Sequence, residues 1–234
     1  MPMLYEGKAK QVFDTEIPDT VLISFKDDAT AFNGVKKDVF DGKGRVNLEF
    51  TRYFFNLLKN NGINTHIIEF MDKKSFTAHK LQIIPLEVVV RNFAAGSISK
   101  RLGFKKGMPF EPPLCEFYLK DDSLNDPVLC RTHLPYLKIA TENEIDEIEA
   151  SALKINDILY KHLDKRNITL VDFKLEFGRN LEDKIMLADE ISPDTCRFWI
   201  KGTMESLDKD VYRENKGDLV SSYLKLAEIL EIKI

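Results

Sequence analysis

Cysteine is scarce and shows no pairing pattern. Cys115, Cys130 and Cys196 are the only three, with no Cys-x-x-Cys spacing among them. An odd set without that spacing argues against a disulfide framework and against a thiolate zinc site, and it points to a reducing compartment. The four histidines (His66, His79, His133 and His162) are scattered without metal-ligand spacing, and no role is assigned to them. No apolar run approaches transmembrane length, and the opening MPMLYEGKAK has no apolar signal core. A membrane partner is therefore not expected, and the cytoplasm is the expected location. A basic excess is missing too. The net charge of −4 argues against general affinity for nucleic acid, while leaving room for local basic pockets that hold phosphate. There is no Walker-type loop (Gly-x4-Gly-Lys followed by Ser or Thr), no internal repeat and no low-complexity linker.

What is present is an ordinary soluble balance, 44% hydrophobic and 31% charged, over 234 residues. That length suits one large domain or two small ones. The chain is organised around residues 170–199. Val171, Phe173, Leu175 and Phe177 alternate there with Asp172, Lys174 and Glu176. Strand side chains point alternately to two faces, so one face is apolar and the other carries an acid, a base and an acid. Residues 178–183 supply a turn, and residues 185–189 read as a return strand that brings Asp189 toward Glu176 or Asp172. Locally two readings stand: a solvated face of weak ion pairs, or a metal site.

Upstream, residues 3–5, 11–13 and 21–25 read as strands of a meander. The Gly-Lys-Ala-Lys turn at 7–10 can offer N–H and ammonium groups to a polyphosphate, although a plain solvated hairpin is the simpler reading. Residues 27–44 read as a long binding loop. Val46, Phe50, Phe54 and Leu57 then repeat at helical spacing, and Gly62 stops that helix. Strands are expected at 65–71, 75–79 and 86–90. In the last, Glu87, Val89 and Arg91 share one face. A short helix from Ser97 to Gly103 starts beside Arg91, which suits an anion, while a buried Glu87–Arg91 pair with a capping Ser97 explains the same residues.

Residues 107–135, with Pro109, Pro112, Pro113, Pro127 and Pro135, read as irregular: a substrate loop or a solvated connector carrying Lys120-Asp121-Asp122. Thr141-Glu142-Asn143-Glu144 is a capping box. It opens a helix whose Ile145, Ile148, Ala152, Ile155, Leu159 and Leu163 form a core stripe. After Trp199 the chain reads as polar until a terminal helix marked by Leu219, Tyr223, Leu226 and Leu230.

Four segments in order, GKAK at 7–10, EVVVRNFAAGS at 87–97, LVDFKLEFG at 170–178 and LADEISPDTCRFW at 187–199, resemble the phosphoribosylaminoimidazole-succinocarboxamide synthase (SAICAR synthetase) family. The likeness covers essentially the whole chain. It implies an α+β, ATP-grasp-like fold of two lobes. Residues 1–85 would form an antiparallel lobe covering the nucleotide, and residues 86–234 a larger lobe with the ribotide and metal sites. It implies an ATP-dependent carbon–nitrogen ligase of purine biosynthesis. That enzyme condenses L-aspartate with 5-amino-1-(5-phosphoribosyl)imidazole-4-carboxylate, the carboxyaminoimidazole ribotide, and releases ADP and phosphate. ATP and Mg2+ are the implied cofactors, and a homodimer is the implied assembly.

By position, the resemblance implies that Lys8, Ala9 and Lys10 hold the ATP phosphates. Glu176 and Asp189 would hold the magnesium, and Glu87 a metal shared with the imidazole carboxylate. Arg91, Ser97 and Arg197 would take the ribotide phosphate. Asp172, Lys174 and Asp194 would surround the ribotide and its reacting carboxylate, with Lys174 and Asp172 the catalytic candidates. L-Aspartate would meet the loop at 30–34, where Asn33 departs from the acidic residue of some members. Thr195-Cys196 likewise departs from a Gly-Ser pair.

The residue types suit the chemistry. A carboxylate resists an amine because its leaving group would be an oxide, and transfer of the γ-phosphoryl group makes an acyl phosphate that the amine can displace. Such transfer needs positioning and charge neutralisation. Two other classes compete: a small-molecule kinase using Asp172 as base, and a non-catalytic nucleotide-binding module whose hairpin acids only pair ions. The Arg91, Ser97 and Arg197 set favours a phosphorylated second substrate and weighs against the module.

Overall fold

Short alternating strands joined by tight turns build the first sheet. The computed structural model describes residues 1–31 and 36–234; residues 32–35, Asn33 among them, lie outside the described residues. The elements begin with β1 (Met3–Glu6), β2 (Lys10–Asp14), β3 (Thr20–Phe25), β4 (Asp28–Ala31) and β5 (Lys36–Val39). Then come α1 (Lys43–Asn60), β6 (Ile67–Phe70) and β7 (Ser75–His79). An antiparallel sheet runs in the order β1-β2-β3-β7-β6, while β4 and β5 pair as a separate hairpin. The expected long loop at 27–44 is therefore corrected: it holds the two strands of this hairpin, and α1 already begins at Lys43. The alternation that marks a strand is hidden there among Asp and Lys residues, and β5 is largely exposed.

The second half adds β8 (Gln82–Ile83), β9 (Leu86–Phe93), α2 (Ser97–Leu102), β10 (Pro109–Leu119), β11 (Val128–Leu129), α3 (Leu134–Leu137) and α4 (Glu142–Asp164). It closes with β12 (Ile168–Arg179), β13 (Ile185–Ala188), β14 (Cys196–Ile200), α5 (Asp210–Arg213) and α6 (Leu219–Ile229). β12 is the hub. Its first half pairs with β9 on one edge and β14 on the other, and its second half pairs with β13 and β8. Both faces of β12 are covered, so even Asp172 and Glu176 are buried.

Residues 107–135 are not irregular. β10 is an eleven-residue strand of the second sheet, paired with β9 and β11. Its register slips between Pro109 and Leu114, where prolines supply no ladder N–H, and regular pairing resumes at Leu114. The prolines concealed a strand whose second half, Cys115 to Leu119, has ordinary strand composition. The stretch after Trp199 is also less polar in space than in sequence, because Leu207 to Tyr212 is buried around α5.

One continuous apolar core joins the two sheets to the helices. α1 buries Val46, Phe50 and Phe54, and α4 buries all six residues of its expected stripe. The Thr141 capping box forms as expected, with Arg179 also held by Glu144. Among the described residues no helix is long and apolar enough to cross a membrane.

Candidate active site

A cleft of about 860 Å³ opens between the first sheet and the β9–β12–β14 face. Its outer end is apolar, lined by Tyr5, Val12, Val21, Ile23 and Ile83, and its inner end is dense with charge. Strand register explains the inner end. Asp172 stands opposite Arg91 on β9 and opposite Arg197 on β14, so one carboxylate lies between two guanidinium groups. Arg91 Nη1 donates to Asp172 Oδ2 at 2.6 Å, and Arg197 Nη1 donates to Oδ1 at 2.9 Å. Arg91 reaches further to Glu116 at 2.7 Å, the Tyr118 hydroxyl at 3.1 Å and Ser97 Oγ at 3.2 Å. Arg197 Nε donates to Asp210 at 2.7 Å. Burial alone would push both guanidinium groups down, but Asp172 and the further acids outweigh it and hold them protonated. Gly96 sits at φ 60° with Arg197 against it, and a Cβ there would come within 2.4 Å of Nη2, so only glycine lets the guanidinium pass.

Two residues along the same face, the Lys174 ammonium donates to Glu176 Oε1 at 2.6 Å and lies 3.3 Å from both Glu87 Oε1 and Asp189 Oδ2. Lys10 holds Asp189 and, at 2.9 Å, Glu190, while Lys120 holds the second Glu176 oxygen. Burial opposes charge on Lys174, yet Glu176, Asp189 and Glu87 raise it well above the usual ammonium range. For Asp189 burial pulls upward, and Lys10, Lys174 and Lys120 outweigh it and keep the carboxylate ionised. Asp189 has φ 60°, a left-handed conformation unusual for a residue other than glycine. Its backbone carbonyl lies 3.2 Å from His66 Nε2. Burial, with help from Lys10, pushes His66 down to about 4, so the ring is neutral and donates through Nε2.

The Lys8 ammonium pairs with Asp122 at 2.6 Å, and Lys8, Ala9 and Lys10 all line the cleft. Asp194 is more enclosed than expected. It accepts from Lys43 and from the Tyr223 hydroxyl at 2.6 Å, joining α1, α6 and the segment after β13. Lys43 and Lys209 outweigh its burial and hold it well below the usual carboxylate range. Thus Lys8, Ala9, Lys10, Glu87, Arg91, Asp172, Lys174, Glu176, Asp189, Asp194 and Arg197 share one cleft. Ser97 stands behind Arg91 and does not line it. The structure adds Lys120, Glu116, Glu190, Asp210 and His66. Glu190 sits in a recognisable acid pair with Asp189, and Lys120 in a visible Lys-Asp-Asp run. Nothing local in the sequence marks His66.

Among the described residues no group of three or more His, Cys, Asp or Glu side chains is gathered as a ready cation site. Oxygens of Glu176, Glu87 and Asp189 do meet around one positive charge, the Lys174 ammonium. That set of hard oxygen donors fits magnesium in chemistry.

The fold is α+β, and its cleft carries two groups of cationic side chains, Lys8 with Lys10 and Arg91 with Arg197, with a cluster of acids and lysines between them. The comparisons with known proteins specify it further. The sequence model of SAICAR synthetase matches residues 3–229. The phosphoribosylaminoimidazole-succinocarboxamide synthase of Staphylococcus saprophyticus is 51% identical over 231 residues, covering 99% of each chain. The crystal structure of the synthase from Ehrlichia chaffeensis superposes with a TM-score of 0.96 at 42% identity, covering 100% of both chains. A SAICAR synthetase solved in complex with ADP gives a TM-score of 0.94 at 48% identity, covering 98% of this chain and 97% of that one. The chain belongs to the SAICAR synthetase family.

Proposed function

We infer that this cleft is the catalytic centre of the family's reaction. The protein is an ATP-dependent ligase of purine biosynthesis that condenses L-aspartate with the carboxyaminoimidazole ribotide, giving the succinocarboxamide, ADP and phosphate. The observation that carries the site assignment is the row of charge on β12. Asp172 anchors two arginines at one end, and Lys174 and Glu176 meet Asp189 and Lys10 at the other.

The nucleotide's base fits the apolar end of the cleft, and its phosphates fit Lys8, Lys10 and the N–H of Ala9. The inner lysines hold Asp189, Glu190 and Glu176. A polyphosphate offers those lysines a stronger anion and leaves the acids free for a hard cation. Magnesium, held by Glu176 and Asp189 with Glu87 toward the imidazole carboxylate, would supply charge neutralisation between the phosphates. The ribotide phosphate fits Arg91 and Arg197, forked donors suited to a dianion, with Ser97 behind them.

The ribotide carboxylate then lies near Lys174. An oxygen of it attacks the γ-phosphorus, the bond to the ADP oxygen breaks, and Lys174 neutralises the charge that develops on the transferred group. The amine of aspartate displaces the resulting acyl phosphate, forming the amide C–N bond and expelling phosphate. Asp172 and Asp194 act by holding cations. Both oxygens of Asp172 accept from guanidinium groups, which leaves it unsuited to serve as the base of a hydroxyl kinase.

The same reading carries residues 1–85 as the nucleotide-covering lobe and residues 86–234 as the larger lobe. It also carries the homodimer that the family implies and a cytoplasmic setting, which three free thiols suit. Incubation with ATP, magnesium and the ribotide, with and without aspartate, tests the function. Amide product that requires aspartate, with one phosphate released per amide, is expected. Phosphate release indifferent to aspartate and without amide would refute it.

A further inference from the structure

Among the described residues, the β4–β5 hairpin joins neither of the two larger sheets, and its strands pair only with each other. A lone two-stranded hairpin is marginally stable in water, so side chains outside its ladder have to hold it in place. The register divides its side chains between two faces. Ala29 pairs with Asp38, and Lys36 stands two residues from Asp38 on that same face, while Asp28 and Thr30 point the other way. Asp28 and Thr30 line the cleft, so the hairpin is one of its walls.

The opposite face grips Tyr212 of α5. Lys36 Nζ lies 3.8 Å from the centre of the Tyr212 ring, and it donates to the Tyr212 carbonyl at 2.9 Å and to Asn215 Oδ1 at 2.7 Å. The Tyr212 hydroxyl donates to Asp38 Oδ2 at 2.7 Å. Phe40, just past β5, meets the same ring edge-on, with centroids 5.5 Å apart. A cation over the ring, a hydrogen bond to a carboxylate and an edge-to-face pair thus converge on one buried side chain. α5 borders the cleft as well, through Lys209 just before it and Arg213 at its end. Tyr212 therefore ties two walls of one cleft together.

We propose that Tyr212 is a positioning residue that clasps the β4–β5 hairpin to α5 and so keeps water from the activated ribotide carboxylate. This rests on the ligase reading, in which that carboxylate becomes an acyl phosphate. An acyl phosphate open to solvent is wasted. Water adds to its carbon, the bond to the phosphate oxygen breaks, and the carboxylate, inorganic phosphate and a proton are released. ATP is then consumed and no amide forms. Closing a site against water suppresses that side reaction and leaves the amine as the nucleophile. A wall whose own ladder is only two strands wide closes the cleft only while it is held, and the Tyr212 ring is where it is held.

The test uses the full chain, wild type and two variants, Tyr212→Ala and Lys36→Met. The first removes the ring and the hydroxyl, and the second removes the cation from the outer side of the clasp. Phosphate and amide are counted in the same reaction at saturating substrates, beside a control without the ribotide, and hydrogen exchange is followed over residues 36–39. The wild type should release one phosphate per amide. Each variant should exchange faster over 36–39 and release about 2- to 10-fold more phosphate than amide, the excess requiring the ribotide. A merely structural role would lower phosphate and amide together and leave their ratio at one. A ratio of one in a variant whose hairpin exchanges faster overturns the proposal, as does unchanged exchange in both variants or excess phosphate without the ribotide. If Tyr212→Ala fails to fold, Lys36→Met decides. Absence of aspartate-dependent amide in the wild type overturns the ligase reading itself.

Discussion

The ammonium of Lys174 lies 2.6 Å from the carboxylate of Glu176, its neighbour on the same face of β12. Asp189 and Glu87 complete the enclosure at 3.3 Å each. In the proposed reaction, phosphate and a hard cation take the lysines' place among these acids. Replacing either proposed magnesium ligand, Glu176 or Asp189, should therefore damage turnover far more than folding.

Glu176→Gln and Asp189→Asn are expected to fold normally, since Lys174 keeps two acids and Lys10 keeps Glu190 in the second variant. Each should lower kcat by about 100- to 1,000-fold, or roughly 3–4 kcal/mol of transition-state stabilisation. Circular dichroism with steady-state kinetics at saturating magnesium checks this. Near-normal turnover in either variant contradicts the role.

Arg197→Ala should act on the ribotide. Its removal leaves Asp172 with Arg91 and Asp210 with Arg213, so the fold should persist. The ribotide KM should rise by about 10- to 100-fold, in keeping with the loss of charged hydrogen bonds. Initial rates at varied ribotide and fixed ATP measure it, and a change in the ATP constant alone would show the cluster to be misassigned.

His66 gives the chain a specific acid sensitivity. Burial holds its folded-state pKa down at about 4, below the ordinary histidine value of 6.5, so the neutral ring is the form the fold favours. Between those values the unfolded chain takes up a proton that the folded chain refuses. The His66 contribution is thus fully present above pH 6.5 and is lost as pH falls toward 4, amounting to roughly 3 kcal/mol in all. Urea unfolding of wild type and His66→Gln across that window should show the variant losing less stability on acidification. Parallel curves would contradict it.

Asn92 and Asn156 exchange a pair of buried hydrogen bonds, at 2.8 and 3.0 Å, that tie β9 to α4. Asn156→Ala leaves Asn92 Oδ1 without its donor, while the amide keeps its bond to the Leu170 carbonyl, and should lower unfolding free energy by about 1–3 kcal/mol, read from denaturant midpoints.

How much of this was legible before the structure follows from the kind of signal each element carries. α4 was readable because its capping box and six-residue stripe are local and periodic, and every residue of that stripe is buried. The β12–β13 hairpin was readable for the same reason. β10 was not, because its prolines advertise a loop, and only its place between β9 and β11 makes it a strand. The β4–β5 hairpin was hidden by its polar composition.

At the site, Asp172, Lys174 and Glu176 announced one charged face. That Asp172 is shared between Arg91 and Arg197 depends on two cross-strand registers, which no local pattern encodes. His66 and Lys43 act through contacts more than 120 residues away in the chain. Their local sequence reads only as an ordinary histidine and a loop lysine.

The central claim is that the cleft activates the ribotide carboxylate by phosphoryl transfer before aspartate attacks. The most direct test uses ribotide labelled with oxygen-18 in both carboxylate oxygens, turned over with ATP, magnesium and aspartate, with mass analysis of both products. One labelled oxygen is expected in each released phosphate and one in each amide. Unlabelled phosphate alongside amide product would contradict it.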